Sequence, residues 1–256
     1  MSGQALDIES AANQRARAWV ALSRRSARDH TGTFLIEGRR ETLRALDHLS
    51  IDEVIWCPDL GERPIVADTS VTRVSSRVFE KLSHRQSPDG IAAVARTPDL
   101  SLETFHSVPP ALVLVADGVE KPGNIGAMLR TCDAFGAAFV GSAIGTDIVN
   151  PNVVRSAQGS LFTVPIAVAP RADSIAWCRK NTTIVVAHPG ADASLWEADL
   201  AGPTTIVVGA EHSGVDSRWF EAGVPTSIPM AGIADSLNAS VSAGVFLSEA
   251  ARQRSD

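Results

Sequence analysis

No run of about 18 uninterrupted apolar residues occurs in this 256-residue chain, so nothing in its sequence is long enough to cross a membrane as a helix. The opening residues, MSGQALDIESAANQRARAW, lack the basic-then-apolar layout of a secretory signal, and a cytoplasmic location is expected. Cysteine is scarce. Cys57, Cys132 and Cys178 lie far apart and form no CxxC pair, which argues against both a zinc centre and a disulfide framework. The six histidines, His30, His48, His84, His106, His188 and His212, show no HExxH or other ligand spacing, and no metal is expected. Also missing are the GxGxxG dinucleotide fingerprint, the GxxxxGK(S/T) phosphate loop and the GxSxG elbow of serine hydrolases. There is no internal repeat and no low-complexity tract.

What remains is an ordinary globular composition, 45% apolar and 20% charged, in a chain long enough for a small domain plus a medium one. The formal charge of −6 looks wrong for a nucleic-acid protein, but its distribution matters more than its sum. Between Asn13 and Arg44, eight arginines face only Asp29, Glu37 and Glu41, a local net charge of +5. An arginine-only cluster suits phosphate, which the guanidinium fork binds bidentately. Arg24, Arg25, Arg28 and Arg39 are the candidate phosphate contacts in this segment, with a solvated helix face as the alternative.

The first ninety-odd residues alternate helix and strand. AANQRARAWVALSRRSAR reads as one amphipathic helix, TFLIEG as a strand, and Arg39 to about Leu49 as a second helix. DEVIWC, the start of TRVSSRVFEKLSH, and DGIAAVAR supply further strands, giving a compact α/β module over 1–96. The segment TPDLSLETFHSVPP, 97–110, is rich in breakers and reads as a linker. Beyond it, over 111–256, apolar runs recur between turn residues: ALVLVAD, AAFVG, TVPIAVA, TTIVVAH, TTIVVGA and TSIPM. Continuous rather than alternating apolar runs imply strands buried on both faces, hence a parallel sheet covered by helices. The expected helices between them are Asn124–Phe135, Asn152–Ser160, Asp173–Lys180 and Ser236–Arg252.

Ligands of parallel sheets bind at the carboxyl ends of the strands. After ALVLVAD comes DGVEKPGNIGAMLRTCDAFGA, in which Asn124 is placed to cap a helix. There Ile125, Met128, Leu129 and Cys132 make the buried stripe, and Arg130 lies off it. After TTIVVGA comes EHSGV, with Glu211 either a turn residue or a group that holds a cation. In SIPMAGIADSLNASVSAGVFLSEA, Asp235 or Ser236 reads as an N-cap, followed by Asn238, Ser240 and Ser242 in the first two turns. Polar side chains and free N–H groups at a helix start suit a polar ligand.

These three segments, in this order, resemble the SpoU/TrmH family of RNA 2′-O-ribose methyltransferases in the SPOUT superfamily. The first matches the family's Asn-x-Gly-x-x-x-Arg core, the second its Gly-x-Glu-x-x-Gly core, and the third its Ile-Pro-Met followed by Ser-Leu-Asn-x-Ser-Val. FLIEGRRETLRAL looks like the start of the ribosomal-protein-like RNA-binding domain carried by many members, and DIVNPNVVRSAQGSLFTVPI matches the middle region. The resemblance implies an α/β fold whose parallel sheet ends in a deep trefoil knot. It further implies S-adenosylmethionine held around Gly209, Ile228, Met230, Leu237, Asn238 and Ala239, and a homodimer with the active site at its interface. The residues carried over for chemistry are Asn124, Arg130, Glu211 and Asn238. A guanidinium does not normally lose its proton, so Arg130 is expected to bind the adjoining phosphate and orient the 2′-hydroxyl. Glu211 is expected to fix Arg130 by a charge-assisted pair, and Arg155 to contact RNA or the cofactor's carboxylate. The separate N-terminal module favours ribosomal RNA over tRNA as substrate. Some ribosomal members protect against antibiotics, and the sequence does not say whether this one does. A non-catalytic RNA-binding assembly factor is the rival reading, against which intact Asn124, Arg130, Glu211 and Asn238 speak.

Overall fold

The structure, a computed structural model, describes residues 7–67, 69–105 and 111–255. Contacts divide the chain into two compact units, Met1–Pro98 with Ile148–Phe162, and Asp99–Asp147 with Thr163–Asp256.

The first unit runs α1 (Gln14–Ala21), α2 (Arg25–Thr31), β1 (Thr33–Glu37), α3 (Arg39–Leu46), β2 (Ile51–Trp56), β3 (Val71–Arg73), α4 (Ser76–Leu82) and β4 (Ile91–Arg96). Its sheet has the order β1-β4-β2-β3, with β4 antiparallel to both neighbours and β3 parallel to β2. Trp19, Leu22, Val78, Phe79 and Leu82 pack against Ile55, Ala92 and Val94 to make its core. The single helix expected from AANQ to SAR is in fact two. The chain breaks at Leu22–Arg24, and the Arg28 guanidinium takes up the freed carbonyls, Nη1 donating to Leu22 O at 2.8 Å and Ser23 O at 3.0 Å.

The second unit is built from β5 (Leu112–Asp117), α5 (Pro122–Phe135) and β6 (Ala138–Ser142). After α6 (Pro151–Ala157) come β7 (Ile166–Ala169), α7 (Arg171–Asn181), β8 (Thr183–Ala187), β9 (Thr204–Gly209), α8 (Ser217–Phe220), β10 (Val224–Thr226) and α9 (Ala239–Gln253). All six strands are parallel, in the order β10-β8-β9-β5-β6-β7. β5 and β6 are buried at every residue, as continuous apolar runs require of central strands. Val113, Val115, Val140, Val186 and Val207 join Ile175 and Trp219 in the core. Each such fully buried side chain contributes about 1.5–3 kcal/mol of transfer free energy.

Four expectations need correction. α6 lies inside the stretch expected as one continuous domain, yet it packs on β1 in the first unit. The supposed linker is partly built in: Leu100 O accepts from Val168 N, and Phe105 meets the Trp177 ring edge-on at 5.0 Å. Its residues 106–110 lie outside the described residues. TSIPM is not a strand over its length, because β10 ends at Thr226, opposite Ala187, and Ser227 N turns to Ala193 O. α9 starts three residues later than expected: its N-cap is Asn238, whose side chain accepts from Ser240 N and Val241 N.

Candidate active site

The carboxyl ends of β8, β9 and β10 open onto a cavity of about 350 Å³, lined by Ala187 and His188, residues 208–215, Thr226, Ile228 and Met230, and by Leu237, Ala239 and Phe246. Gly209 is needed for its shape. A Cβ there would fall on the backbone of Gly214 and Val215, because the loop after β9 folds back on its own start and Ala210 bridges to Gly214. Of the residues expected to hold a cofactor, Gly209, Ile228, Met230, Leu237 and Ala239 line the cavity. Asn238 is not among them, since its side chain caps α9.

Beside the cavity the three motifs meet in one hydrogen-bonded chain. Asn124 Nδ2 donates to Glu211 Oε1, and Lys121 Nζ stands 3.3 Å from the same oxygen. Asn238 Nδ2 donates to Asn124 Oδ1 at 3.3 Å, and Asn238 Oδ1 accepts from Ser240 N at 3.0 Å. The direction of this chain is forced. A carboxylate only accepts, so Asn124 must present its amide nitrogen to Glu211 and its oxygen to Asn238. Asn238 must then turn its own oxygen to the N–H groups of α9. Asn124 is therefore not the cap of α5, which opens with Lys121 and Pro122. Proline suits that position because its missing N–H would have had no partner.

The expected Glu211–Arg130 pair is absent, for a geometric reason. Arg130 follows Asn124 by six residues, roughly 9 Å along the helix axis and on another face. Glu211 Oε1 is already taken by Asn124 and Lys121. Arg130 is exposed and, among the described residues, has no hydrogen-bond or ion-pair partner. Sequence reasoning also missed His188, although it ends the run TTIVVAH at a strand's carboxyl end. Its Nδ1 accepts from Gly190 N at 3.1 Å.

A family profile, the SpoU rRNA Methylase family, matches residues 111–248, over half of the sequence. The chain belongs to the SpoU rRNA methylase family. It is accordingly a methyltransferase, and a second profile, an MRM3-like substrate binding domain, matches residues 13–93. The 23S rRNA (guanosine(2553)-2′-O)-methyltransferase RlmP of Bacillus subtilis is 32% identical over 256 residues, covering 94% of this chain and 97% of the relative. A crystal structure of an RNA 2′-O ribose methyltransferase is 40% identical with a TM-score of 0.84, covering 97% of this chain and 99% of the other. The SpoU methyltransferase AviRb of Streptomyces viridochromogenes, in complex with its cofactor AdoMet, is 27% identical with a TM-score of 0.86 over 95% of this chain and 99% of that one.

In this SpoU chain the expected RNA contacts fare differently. Arg28 is buried, and its guanidinium is spent on the corner between α1 and α2. Arg24 and Arg25 are exposed, Arg25 with only a 3.6 Å approach to Asp29. Arg39 Nη2 donates to Glu62 O at 2.5 Å. On α6, Arg155 donates to His84 O at 3.1 Å and to Asn152 Oδ1 at 2.9 Å. Nearby in the same unit, Arg40 and Arg85 flank buried Glu41 at 3.1 and 3.2 Å, and Arg44 donates to Gln158 O at 3.2 Å. The three cysteines are buried thiols. Burial pushes Cys178 up to about 12 and Cys132 higher, so neither offers a thiolate nucleophile. Among the described residues, no group of three or more His, Cys, Asp or Glu is placed to hold a metal ion, and no helix is long and apolar enough to cross a membrane.

Proposed function

We propose that this SpoU methylase transfers a methyl group to a ribose 2′-hydroxyl of ribosomal RNA, with S-adenosylmethionine as donor. The observation that carries the reading is the hydrogen-bonded chain Glu211–Asn124–Asn238, which brings all three motifs to the rim of one cavity. That cavity fits the cofactor. Its volume lies in the range of small-molecule sites, and its lining combines the loop 209–215 with the apolar residues Ile228, Met230 and Leu237. Amide donors and acceptors suit the edges of an adenine and the amino-acid end, while the apolar side chains suit the ring faces. Bound there, S-adenosylmethionine supplies an electrophilic methyl on a sulfonium sulfur.

The chain's own residues then have three tasks. Gly209, Ile228, Met230, Leu237 and Ala239 hold the cofactor. Asn124, clamped between Glu211 and Asn238, fixes the start of α5 against the start of α9. Arg130, exposed and without a neutralising carboxylate, binds the phosphate beside the target ribose and orients its hydroxyl. The hydroxyl proton leaves to that phosphate or to water, because a guanidinium is not a base at neutral pH.

The first unit selects the RNA. Its binding face is formed by Arg24, Arg25, Arg39, Arg40, Arg44 and Arg155; several of these donate to main-chain carbonyls, which hold a guanidinium without cancelling its charge. Ribosomal RNA is favoured because the relatives and solved structures match through both units. The reading includes a trefoil knot in the segment after β9, supported by β10 lying beyond β8 and by α9 returning across β9 and β5. It also includes a homodimer, supported by the exposed apolar side chains of Ile233, Leu237 and Val241 where α9 begins. A ribosomal RNA substrate makes the cytoplasm its workplace. The test is transfer of tritiated methyl from S-adenosylmethionine to unmodified ribosomal RNA and, separately, to bulk tRNA transcripts. Label at one position of ribosomal RNA is expected; label confined to tRNA would overturn the substrate assignment.

A further inference from the structure

Asp117 ends β5 and is 1% exposed, a buried carboxylate that methyl transfer as described above does not use. Three donors from three elements converge on it. Ser142 Oγ, at the end of β6, and Arg171 Nε, at the start of α7, reach Oδ1 at 2.9 and 2.7 Å. The main-chain N–H of Asp216, just before α8, reaches Oδ2 at 3.1 Å. In the register of the sheet Asp117 stands beside Ser142 on one side and Gly209 on the other. The chain therefore leaves β9 next to Asp117 and brings its Asp216 N–H back to the same carboxylate. The loop so closed contains Glu211 and forms the cavity wall over 210–215.

We propose that Asp117 is a positioning residue for methyl transfer, clamping the loop 210–216 so that Glu211 meets Asn124 and the cavity keeps its wall. The inference rests on the reading that this cavity holds S-adenosylmethionine. Only a carboxylate does this task. It offers about four lone-pair sites to three donors, whereas an amide of the same shape offers two and adds N–H groups facing other donors. Burying the charge is tolerable because Arg171 pairs with it; Arg171 Nη1 also approaches the half-buried Asp216 Oδ2 at 3.1 Å. Arg218, with Arg171 beyond it, holds the Asp216 carboxyl well below the usual carboxylate range, so that side chain stays charged beside Arg171.

The test uses the full chain, with equilibrium dialysis of tritiated S-adenosylmethionine and hydrogen–deuterium exchange of the cofactor-free protein. Asp117→Asn should raise the cofactor Kd at least ~10-fold and speed exchange at 211–215, with the rest of the sheet still protected. Asp216 gives an independent arm, since its φ of −63° already fits a proline ring. Asp216→Pro removes the N–H and should reproduce Asp117→Asn, whereas Asp216→Ala keeps the N–H and should stay within ~3-fold of wild type. A folded Asp117→Asn or Asp216→Pro protein with unchanged exchange at 211–215 and a Kd within ~2-fold of wild type would overturn the clamp. If wild type itself bound no cofactor, the reading of the cavity would fail, and the exchange comparison would still decide the clamp.

Discussion

In the second unit the polar side chains that matter are bonded to one another: Glu211 to Asn124, Asn124 to Asn238, Asp117 to Arg171. In the first unit three of the six arginines proposed to meet RNA donate to main chain, Arg39 to Glu62 O, Arg44 to Gln158 O and Arg155 to His84 O. The two arrangements serve different ends. Side-chain pairs that neutralise and orient each other make a site whose geometry is set before a ligand arrives. Guanidinium groups held by neutral carbonyls are also oriented, but keep their charge for a polyanion. Topology locates the first kind, at the carboxyl ends of a parallel sheet. Nothing in the mixed sheet of the first unit does the same, and there only charge points to the surface proposed for RNA.

The comparison is broken most severely at Arg130, which is exposed and, among the described residues, has no hydrogen-bond or ion-pair partner. Arg130→Ala should cut methyl transfer about 10²–10³-fold while leaving cofactor Kd within a factor of ~2, the signature of a group that acts on the reacting centre rather than on cofactor binding. Unchanged turnover would remove Arg130 from the mechanism. Next comes Asn124→Asp, which sets a second carboxylate against Glu211 and removes the donor that directs the chain. A loss of roughly 10- to 10²-fold in kcat/KM is expected, since a severed hydrogen bond to a charged group costs about 1.5–3 kcal/mol.

Within the first unit, two kinds of arginine can be told apart. Pooled Arg24→Gln, Arg25→Gln and Arg155→Gln should reduce the slope of log affinity against log salt by about 2, at ~0.7–0.9 per phosphate contact, with the melting temperature little changed. Arg28→Ala should do the reverse, costing about 2 kcal/mol of stability by stranding the carbonyls of Leu22 and Ser23. If Arg28→Ala instead weakened RNA binding in a fully stable protein, the division would be wrong.

The smallest effect lies at the end of α9. Arg252, then Gln253, hold the Glu249 carboxyl at about 2, below its ordinary 4.5. A depressed carboxylate stabilises the fold above its unfolded value and loses that contribution as pH falls. Stability should therefore decline between pH 4.5 and about 2, and Glu249→Gln should flatten that limb in acid melts.

Much of the second unit was legible in the sequence because buried parallel strands announce themselves as unbroken apolar runs, and five of the six runs became strands. TSIPM failed because a strand's extent depends on its neighbour, and β10 has only Val185–Ala187 to pair with. The identities of Asn124, Glu211 and Asn238 were readable from their motifs, but not their partners. Which amide faces which carboxylate is decided by residues 87 and 114 positions apart. α6 was misplaced for the same reason, since its apolar face, Val153, Val154 and Ala157, gives no hint of which sheet it will cover. Arg28 was read as surface charge because a buried guanidinium and an exposed one look alike until the carbonyls at a helix corner are seen.

The central claim is that the methyl group lands on a ribose 2′-oxygen, and alkaline hydrolysis of the tritium-labelled ribosomal RNA tests it directly. A 2′-O-methyl blocks cleavage at the neighbouring phosphate, so the account predicts that the label will be recovered in an alkali-resistant dinucleotide. Recovery of the label in mononucleotides, as a methylated base would give, would contradict it.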